Sequence, residues 1–303
     1  MIMIGVLIVT YNRLDLLKKT LYAYSNQNVQ PLYIVVVNNY SNDGTKEFLN
    51  IWKKENSSFK KYVMHMPRNF GGSGGYYFGE KVVTKLPADW IWISDDDAYP
   101  VDKAFEKLSV IITSLQQKQV AMLCAVPIKG TGLRSRFRPH WIGEMSLPVP
   151  QDEYKNTSFS LDLAAYVGII INKKYLCQAG LIKKEYFILF DDFEHSIRLG
   201  RCGKILCFPE IHFIHEVEIV PPQTLHWKIF YDKRNQMDAV KTLFPLKAVP
   251  FFLIQLAKIL AIFFLRRHDI EELKFRLTAL IDGWKGKLGQ HPIYRPGWKP
   301  KQQ

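Results

Sequence analysis

The stretch Trp90-Ile91-Trp92-Ile93-Ser94-Asp95-Asp96-Asp97-Ala98 constrains this chain more than any other. Residues able to fill a buried strand run directly into three consecutive carboxylates, and packing alone has no use for such a run. Like charges at adjacent positions raise one another's pKa unless a cation sits among them. In an extended or turning segment Asp95 and Asp97 point to one side and Asp96 to the other, so the first and third can share a divalent ion. A solvated acidic turn is the commoner fate of acidic runs. Here the buried-looking lead-in favours the metal.

The segments before this stretch alternate between strand and helix patterns. Ile2 to Thr10 is an apolar, β-branched run that ends at Tyr11-Asn12-Arg13, and Leu14, Leu17, Leu21 and Tyr24 follow at helical spacing. Leu32 to Val37 makes a second strand, and a turn-rich loop from Asn38 to Thr45 leads into a helix carrying Phe48, Leu49 and Trp52. Tyr62 to Met66 and Trp90 to Ser94 supply a third and a fourth strand. Such alternation predicts an α/β fold, Rossmann-like, with a mostly parallel sheet, flanking helices and ligands at the carboxyl ends of the strands. The loops Thr10 to Arg13, Asn38 to Thr45, Asn69 to Gly75 and Asp95 to Asp97 then converge on one edge. In the third of these, Gly71-Gly72-Ser73-Gly74-Gly75 lets backbone amides approach an anionic or planar ligand, and the following segment can open a helix whose N-terminus favours phosphate. The loop has neither Walker nor GxGxxG spacing.

With 303 residues the chain suits one large domain with an appendage, or two domains. Its 41 basic and 28 acidic residues give a formal charge of +13, which favours nucleic acid, anionic lipid or phosphorylated substrates. No RNP, helix-turn-helix or zinc signature is present and the basic residues are spread along the chain, which argues against nucleic acid as a partner. A non-catalytic carbohydrate-binding protein would use the aromatics but leaves the acidic clusters unexplained. The four cysteines form no CxxC pair, and the start lacks a basic region followed by a long apolar core, so the expectation is a reduced, cytoplasmic protein.

The second half adds a basic loop, Gly130 to Trp141, readable as solvated or as a lid or acceptor contact, and a buried strand from Ala164 to Ile171 in which Gly168 would permit close approach. A second apolar run, Phe187-Ile188-Leu189-Phe190, discharges into Asp191-Asp192-Phe193-Glu194, which reads as a capped helix start and as a carboxylate cluster at once. A short strand from Lys204 to Phe208 precedes Pro209 to Glu216, where alternation puts His212 and His215 on opposite faces. From Ala248 to Leu265 the chain is almost continuously apolar, broken by Gln255 and Lys258 and followed by Arg266-Arg267-His268. This suits a helix lying in a membrane interface, or a helical hairpin packed on the preceding domain or on another copy of the chain. The tail from Tyr294 to Gln303 reads as loosely ordered.

Thr10-Tyr11-Asn12-Arg13, the strand ending in Asn38-Asn39 with Ser41, Asp43, Gly44 and Thr45 behind it, Asn69-Phe70-Gly71-Gly72 and Asp95-Asp96-Asp97 together resemble a family 2 glycosyltransferase of the GT-A type. The glycine loop paired with the triple aspartate is most similar to bacterial galactofuranosyltransferases, with rhamnosyltransferases close behind. The resemblance implies a nucleotide-sugar donor, UDP-galactofuranose favoured and dTDP-rhamnose second. The contacts it implies for that donor are Thr10, Tyr11, Arg13, Asn38, Asn39, Asp43, Asn69, Gly71, Gly72, Gly75 and Asp96. Many relatives carry Asp where this chain has Asn38. The resemblance also implies Mn2+ or Mg2+ at Asp95 and Asp97, with His215 as the further ligand and His212 as runner-up. Asp192 becomes the base, Asp191 an orienting group and Glu194 a contact to an acceptor hydroxyl, with inversion at the sugar. Trp227 to Asn235 matches the aromatic-plus-Arg-Asn stretch of these enzymes, where Arg234 could pair with the diphosphate or act structurally. The expected organisation is a catalytic domain over 1–240, its nucleotide-sugar half 1–115 and its acceptor half 116–240, followed by a partly amphipathic helical extension over 241–303. A glycan or lipid-linked glycan acceptor, surface-polysaccharide synthesis and membrane contact through 241–290 at the cytoplasmic face complete the expectation, with an oligomer as a further option.

Overall fold

The computed structural model describes residues 3–115, 119–129, 132–133, 140–142, 145–216, 227–265 and 269–300. Four parallel strands carry the first half: β1 (Ile4–Thr10), β2 (Tyr33–Asn38), β3 (Lys60–His65) and β4 (Trp90–Asp95), arranged β3-β2-β1-β4. Register sets Thr10 beside Asn38 and Val9 beside Asp95, so the loops named from sequence leave the sheet at one edge. Sheet residues alternate between two apolar layers. Leu7, Val9, Val35 and Ile93 meet α3 (Gly71–Val83), while Val6, Ile8, Val36 and Trp92 meet α1 (Leu14–Ser25), α2 (Thr45–Trp52) and α4 (Ala104–Ser114). Burial on both faces is why β1, β2 and β4 read as continuous apolar runs, whereas β3 at the sheet edge stays partly exposed.

The sheet extends to ten strands with β5 (Ala98–Pro100), β6 (Val120–Lys129), β7 (Gly132–Leu133), β10 (Phe159–Leu161), β11 (Ile169–Asn172) and β12 (Lys204–His215). A separate hairpin pairs β8 (His140–Ile142) with β9 (Met145–Leu147). The helices α5 (Lys173–Ala179) and α6 (Asp191–Cys202) join α3 on the first face. β11 runs antiparallel to both β4 and β6, and β12 runs parallel to β6, so the sheet is mixed.

Two expectations about strands change. The strand expected from Ala164 begins only at Ile169, because Gly168 adopts φ +63° and a Cβ there would lie 2.4 Å from the Phe213 ring. The close approach this glycine permits is that of a core phenylalanine. The two short strands expected over 204–216 are one, with a break in register between Cys207 and His212, around Pro209.

The extension consists of α7 (Trp227–Leu243), α8 (Pro245–Leu265) and α9 (Ile270–Lys285), joined by a cluster of Met237, Val240, Phe251, Ile259 and Leu280. The expected boundary at 240 falls inside α7. That helix is also tied to the sheet domain, since Asp238 accepts hydrogen bonds from Tyr186 Oη at 2.8 Å and Lys183 Nζ at 3.2 Å. The described part of the tail is packed, with Tyr294 and Trp298 against Phe230 and Phe275. By length and composition α8 suffices to cross a bilayer, with mean hydropathy 2.2 over its most apolar window and 17% of that window buried. Most of the loop at 130–141 and the Arg266-Arg267-His268 run, expected to contact acceptor and lipid, lie outside the described residues.

Candidate active site

Asp96 points back into the protein. Its carboxylate accepts from Thr10 Oγ1 at 2.8 Å, the Tyr11 amide at 3.3 Å and Arg13 Nη1 at 3.3 Å, and the residue is 3% exposed. Thr20 Oγ1 donates to its backbone carbonyl at 2.7 Å. Asp96 therefore locks the end of β1 to the end of β4, although it also reaches the cavity described below. Burial raises its pKa to about 6 against the pull of Arg13 and Thr10.

Its neighbours do something else. Tyr76 Oη donates to Asp95 Oδ1 at 2.5 Å, and Arg13 Nη1 donates to Asp97 Oδ2 at 2.6 Å. His215 Nε2 lies 3.5 Å from Asp97 Oδ1. The imidazole is delivered by β-pairing: β5 aligns Ala98 with His215, and the Glu216 amide donates to the Asp97 carbonyl at 2.9 Å. Asp95, Asp97 and His215 each offer one ligand atom, all within 4.8 Å of one another. His212 lies off this cluster, with Lys107 acting on its ring and its carbonyl bonded by the Val101 amide at 3.3 Å. Burial, then Asp97, pushes the Asp95 carboxyl up to about 7. Burial also presses Asp97 upward, but the His215 hydrogen bond and the Arg13 charge outweigh it and hold Asp97 below the usual carboxylate range. Two carboxylates and one imidazole form a hard, oxygen-rich donor set that fits Mn2+ or Mg2+.

This cluster opens on a cavity of about 350 Å³ lined from every loop at the edge: Thr10, Tyr11 and Arg13; Asn39; Asn69, Gly71 and Gly72; Asp95 and Asp96. Phe187, Ile188, Trp227, Lys228 and Pro296 complete the wall. Burial lowers the Lys228 pKa, and Arg13 lowers it further, so the two cations are close enough to feel each other. Arg13, its side chain half exposed, and the exposed Lys228 face one cavity, and two cations there favour an anion between them.

Asn39 organises the glycine segment. Its Nδ2 donates to Asn69 Oδ1 at 3.1 Å and to the Gly71 carbonyl at 2.9 Å, and its Oδ1 accepts from the Phe70 amide at 3.1 Å. Gly71 has φ +75° and a Cβ there would sit 1.9 Å from the Phe187 carbonyl oxygen, so only glycine fits.

Other residues expected at the donor have internal roles. Gly75 packs α3 onto β1, where a Cβ would lie 2.5 Å from Val9 Cγ1. Asn38 accepts from the Ser41 amide at 2.9 Å and contacts His65 at 3.2 Å. Asp43 accepts from the Leu14 amide at 2.9 Å and from Thr45 Oγ1 at 2.6 Å. These polar side chains satisfy loop amides that the sheet leaves unpaired. Arg234 is 1% exposed, with its guanidinium on the carbonyls of Tyr186 at 3.0 Å and Gly289 at 2.6 Å, and it is not among the residues that line the cavity. Glu194 is fully buried and forked by Arg198 at 2.9–3.0 Å, so it has no free oxygen for an acceptor hydroxyl.

The second acidic pair opens α6. Asp191 is buried and its pKa raised by that burial. Asp192, partly exposed, is pushed to about 8 by burial, then by Asp191, and Asp95 adds to the rise. The field of the first cluster thus reaches the second. Tyr76 and Pro296 were not singled out from sequence. Phe187, Ile188, Trp227 and Lys228 were noted only as parts of longer stretches. A hydroxyl on a glycine-rich helix and a proline in a tail carry no pattern of their own.

The profile of glycosyl transferase family 2 matches residues 5–176. The galactofuranosyltransferase GlfT1 of Mycolicibacterium smegmatis is 33% identical over 95 residues, and that of Mycobacterium tuberculosis 31% over 104. Each match covers 31% of this chain and 30% of the relative. Among solved structures, Staphylococcus aureus TarS 1–349 in complex with UDP-GlcNAc superposes with TM-score 0.60 at 15% identity, covering 93% of this chain and 81% of that one. The mannosyltransferase PcManGT of Pyrobaculum calidifontis, in complex with GDP-Man and Mn2+, gives 0.56 at 13% identity over 93% and 87%. GalNAc-T7 with UDP, GalNAc and Mn2+ gives 0.64 at 18% identity over 79% and 48%. At these identities the structures share the fold.

Proposed function

This chain belongs to glycosyl transferase family 2, and from that membership we propose that it is an inverting, divalent-metal-dependent enzyme moving galactofuranose from UDP-galactofuranose to a hydroxyl of a glycan acceptor. The main support is the junction of the Asp95, Asp97 and His215 donor set with a cavity walled by Arg13 and Lys228. The galactofuranosyltransferase relatives support the donor.

In this reading Asp95, Asp97 and His215 hold the cation. When bound, it neutralises charge developing on the departing diphosphate. Arg13 and Lys228 flank that diphosphate, and Asn39, through Asn69 and Gly71, shapes the wall against which the nucleotide lies. Asp192 accepts the proton of the acceptor hydroxyl as its oxygen attacks the anomeric carbon from the face opposite the leaving group, so the centre inverts. The test is UDP or dTDP release from a panel of nucleotide sugars, with and without EDTA. Turnover with UDP-galactofuranose, abolished by EDTA and restored by Mn2+ or Mg2+, is expected. Metal-independent turnover would overturn the donor-set assignment, and turnover with dTDP-rhamnose alone would overturn the choice of sugar.

A lipid-linked acceptor, used in surface-polysaccharide synthesis at the cytoplasmic face of the membrane, accords with α8. Leu246, Leu253, Phe264 and Leu265 project from it at 57–95% exposure, while Phe251 and Ile259 pack on its neighbours. With one side held by the fold and Lys258 in its midst, α8 suits an interfacial position. Replacing Leu253 and Phe264 with glutamate should abolish co-sedimentation with phosphatidylglycerol vesicles and leave donor hydrolysis in solution unchanged. Vesicle binding equal to the parent protein would remove α8 from the membrane contact.

A further inference from the structure

Between the turn at Lys184–Tyr186 and α6 the chain follows a path that its own sequence does not favour. Phe187, Leu189 and Phe190 hold φ values of +68°, +62° and +65°, a region bulky side chains rarely enter. At Phe187, with ψ −55°, the Ile188 amide donates to the Tyr186 carbonyl at 2.8 Å, the rare positive-φ form of γ-turn. No glycine relieves this segment, so groups outside it must hold it in place.

Those groups come from α7. Asn235 is fully buried, and its Nδ2 donates to the carbonyls of Tyr186, Ile188 and Leu189 at 3.1, 3.0 and 2.8 Å. Arg234 Nη2 donates to the Tyr186 carbonyl at 3.0 Å. Arg234 Nε donates to Asn235 Oδ1 at 3.0 Å, which turns the amide so that its NH2 faces the three carbonyls. On the other flank the Ser73 amide, near the start of α3, donates to the Phe187 carbonyl at 3.2 Å. The turn puts Phe187 and Ile188 in the cavity wall and exits directly into Asp191 and Asp192.

We propose that Asn235, oriented by Arg234, is the positioning residue for the base: it fixes the 186–190 turn and thereby the placement of Asp192 relative to the acceptor hydroxyl. This rests on the reading of Asp192 as base. It also assigns the Arg-Asn pair of α7 a task distinct from contacting the diphosphate. A small displacement of a catalytic group costs about 100-fold in rate, which sets the expected size of the effect.

The experiment is a double-mutant cycle on transfer kcat, with each variant's folded fraction measured by thermal melting. Asn235→Ala should lower kcat about 100-fold in the otherwise native enzyme. In an Asp192→Asn background it should lower the residual rate by about twofold or less, because the residue it positions is already gone. Equal losses in both backgrounds would make Asn235 a merely structural residue and overturn the proposal, as would no loss in the native background. Where Asn235→Ala reduces the folded fraction, Asn235→Asp carries the same comparison. It keeps the size of the side chain and the oxygen that accepts from Arg234 while removing the donor to the carbonyls. Asp192→Asn alone tests the base assignment, so a failure of that reading registers separately.

Discussion

Replacing Asp192 with asparagine is expected to lower kcat by about 10²–10⁴-fold, the range over which a positioned general base contributes. UDP affinity, measured by calorimetry, should change little, because Asp192 is not among the residues lining the cavity proposed for the donor. The same residue sets the pH profile. Burial and Asp191 raise its pKa to about 8, and below its pKa the carboxyl is protonated and cannot accept the hydroxyl proton. kcat/KM should therefore rise with pH through an acid limb ending near 8. A cation at Asp95 and Asp97 offsets the Asp95 charge that helps raise Asp192, so the limb should move below 8 as metal saturates. Asp192→Asn should remove it. A limb that persists unchanged in Asp192→Asn would assign the titration, and the base, to another group.

Asp192 was picked out by resemblance, and the residues around it show what sequence can and cannot convey. Strands β1, β2 and β4 were legible because burial on both faces writes an unbroken apolar run, while the partly exposed β3 shows only a short one, and the shared direction of all four brings their loops to one edge. The acidic triplet was legible for the opposite reason, as charge where packing wants none. Asn38 and Asp43 are bonded within their own loop, and a loop uses the same side-chain types to satisfy its own amides as to grip a ligand, so sequence alone does not separate the two uses. Arg234, which the sequence left readable as a structural group, and Glu194 are engaged within the chain for a related reason. The guanidinium is bonded to backbone carbonyls and the carboxylate to Arg198, one turn along α6, and neither partnership announces itself as structural in a motif. Pro296 reaches the cavity only because Tyr294 and Trp298 fold the tail onto Phe230 and Phe275. That is a tertiary return which local composition does not signal. The triple aspartate also found a cation within the chain, since Arg13 bridges Asp96 and Asp97.

The bridging by Arg13 makes the division of labour among the three aspartates testable with conservative changes. Asp97→Asn should weaken Mn2+ binding in the presence of UDP by more than the roughly 10–100-fold lost when only an outer-shell partner is removed. It loses one anionic ligand and at the same time frees Arg13 to repel the incoming cation. Asp96→Asn should behave differently. Its amide oxygen can still accept from Thr10 Oγ1 or the Tyr11 amide, so the cost falls on the β1–β4 junction at about 1–3 kcal/mol for the buried bond that is lost. Thermal melting should therefore register Asp96→Asn, and Mn2+ titration calorimetry should register Asp97→Asn. If Asp96→Asn weakened Mn2+ as strongly as Asp97→Asn at equal folded fraction, the carboxylate turned into the protein would be a ligand after all and the donor set would need redrawing. If Asp97→Asn left Mn2+ affinity intact, then His215, 3.5 Å from Asp97, would lose its assigned place as well. The acidic triplet would then serve Arg13 rather than a metal.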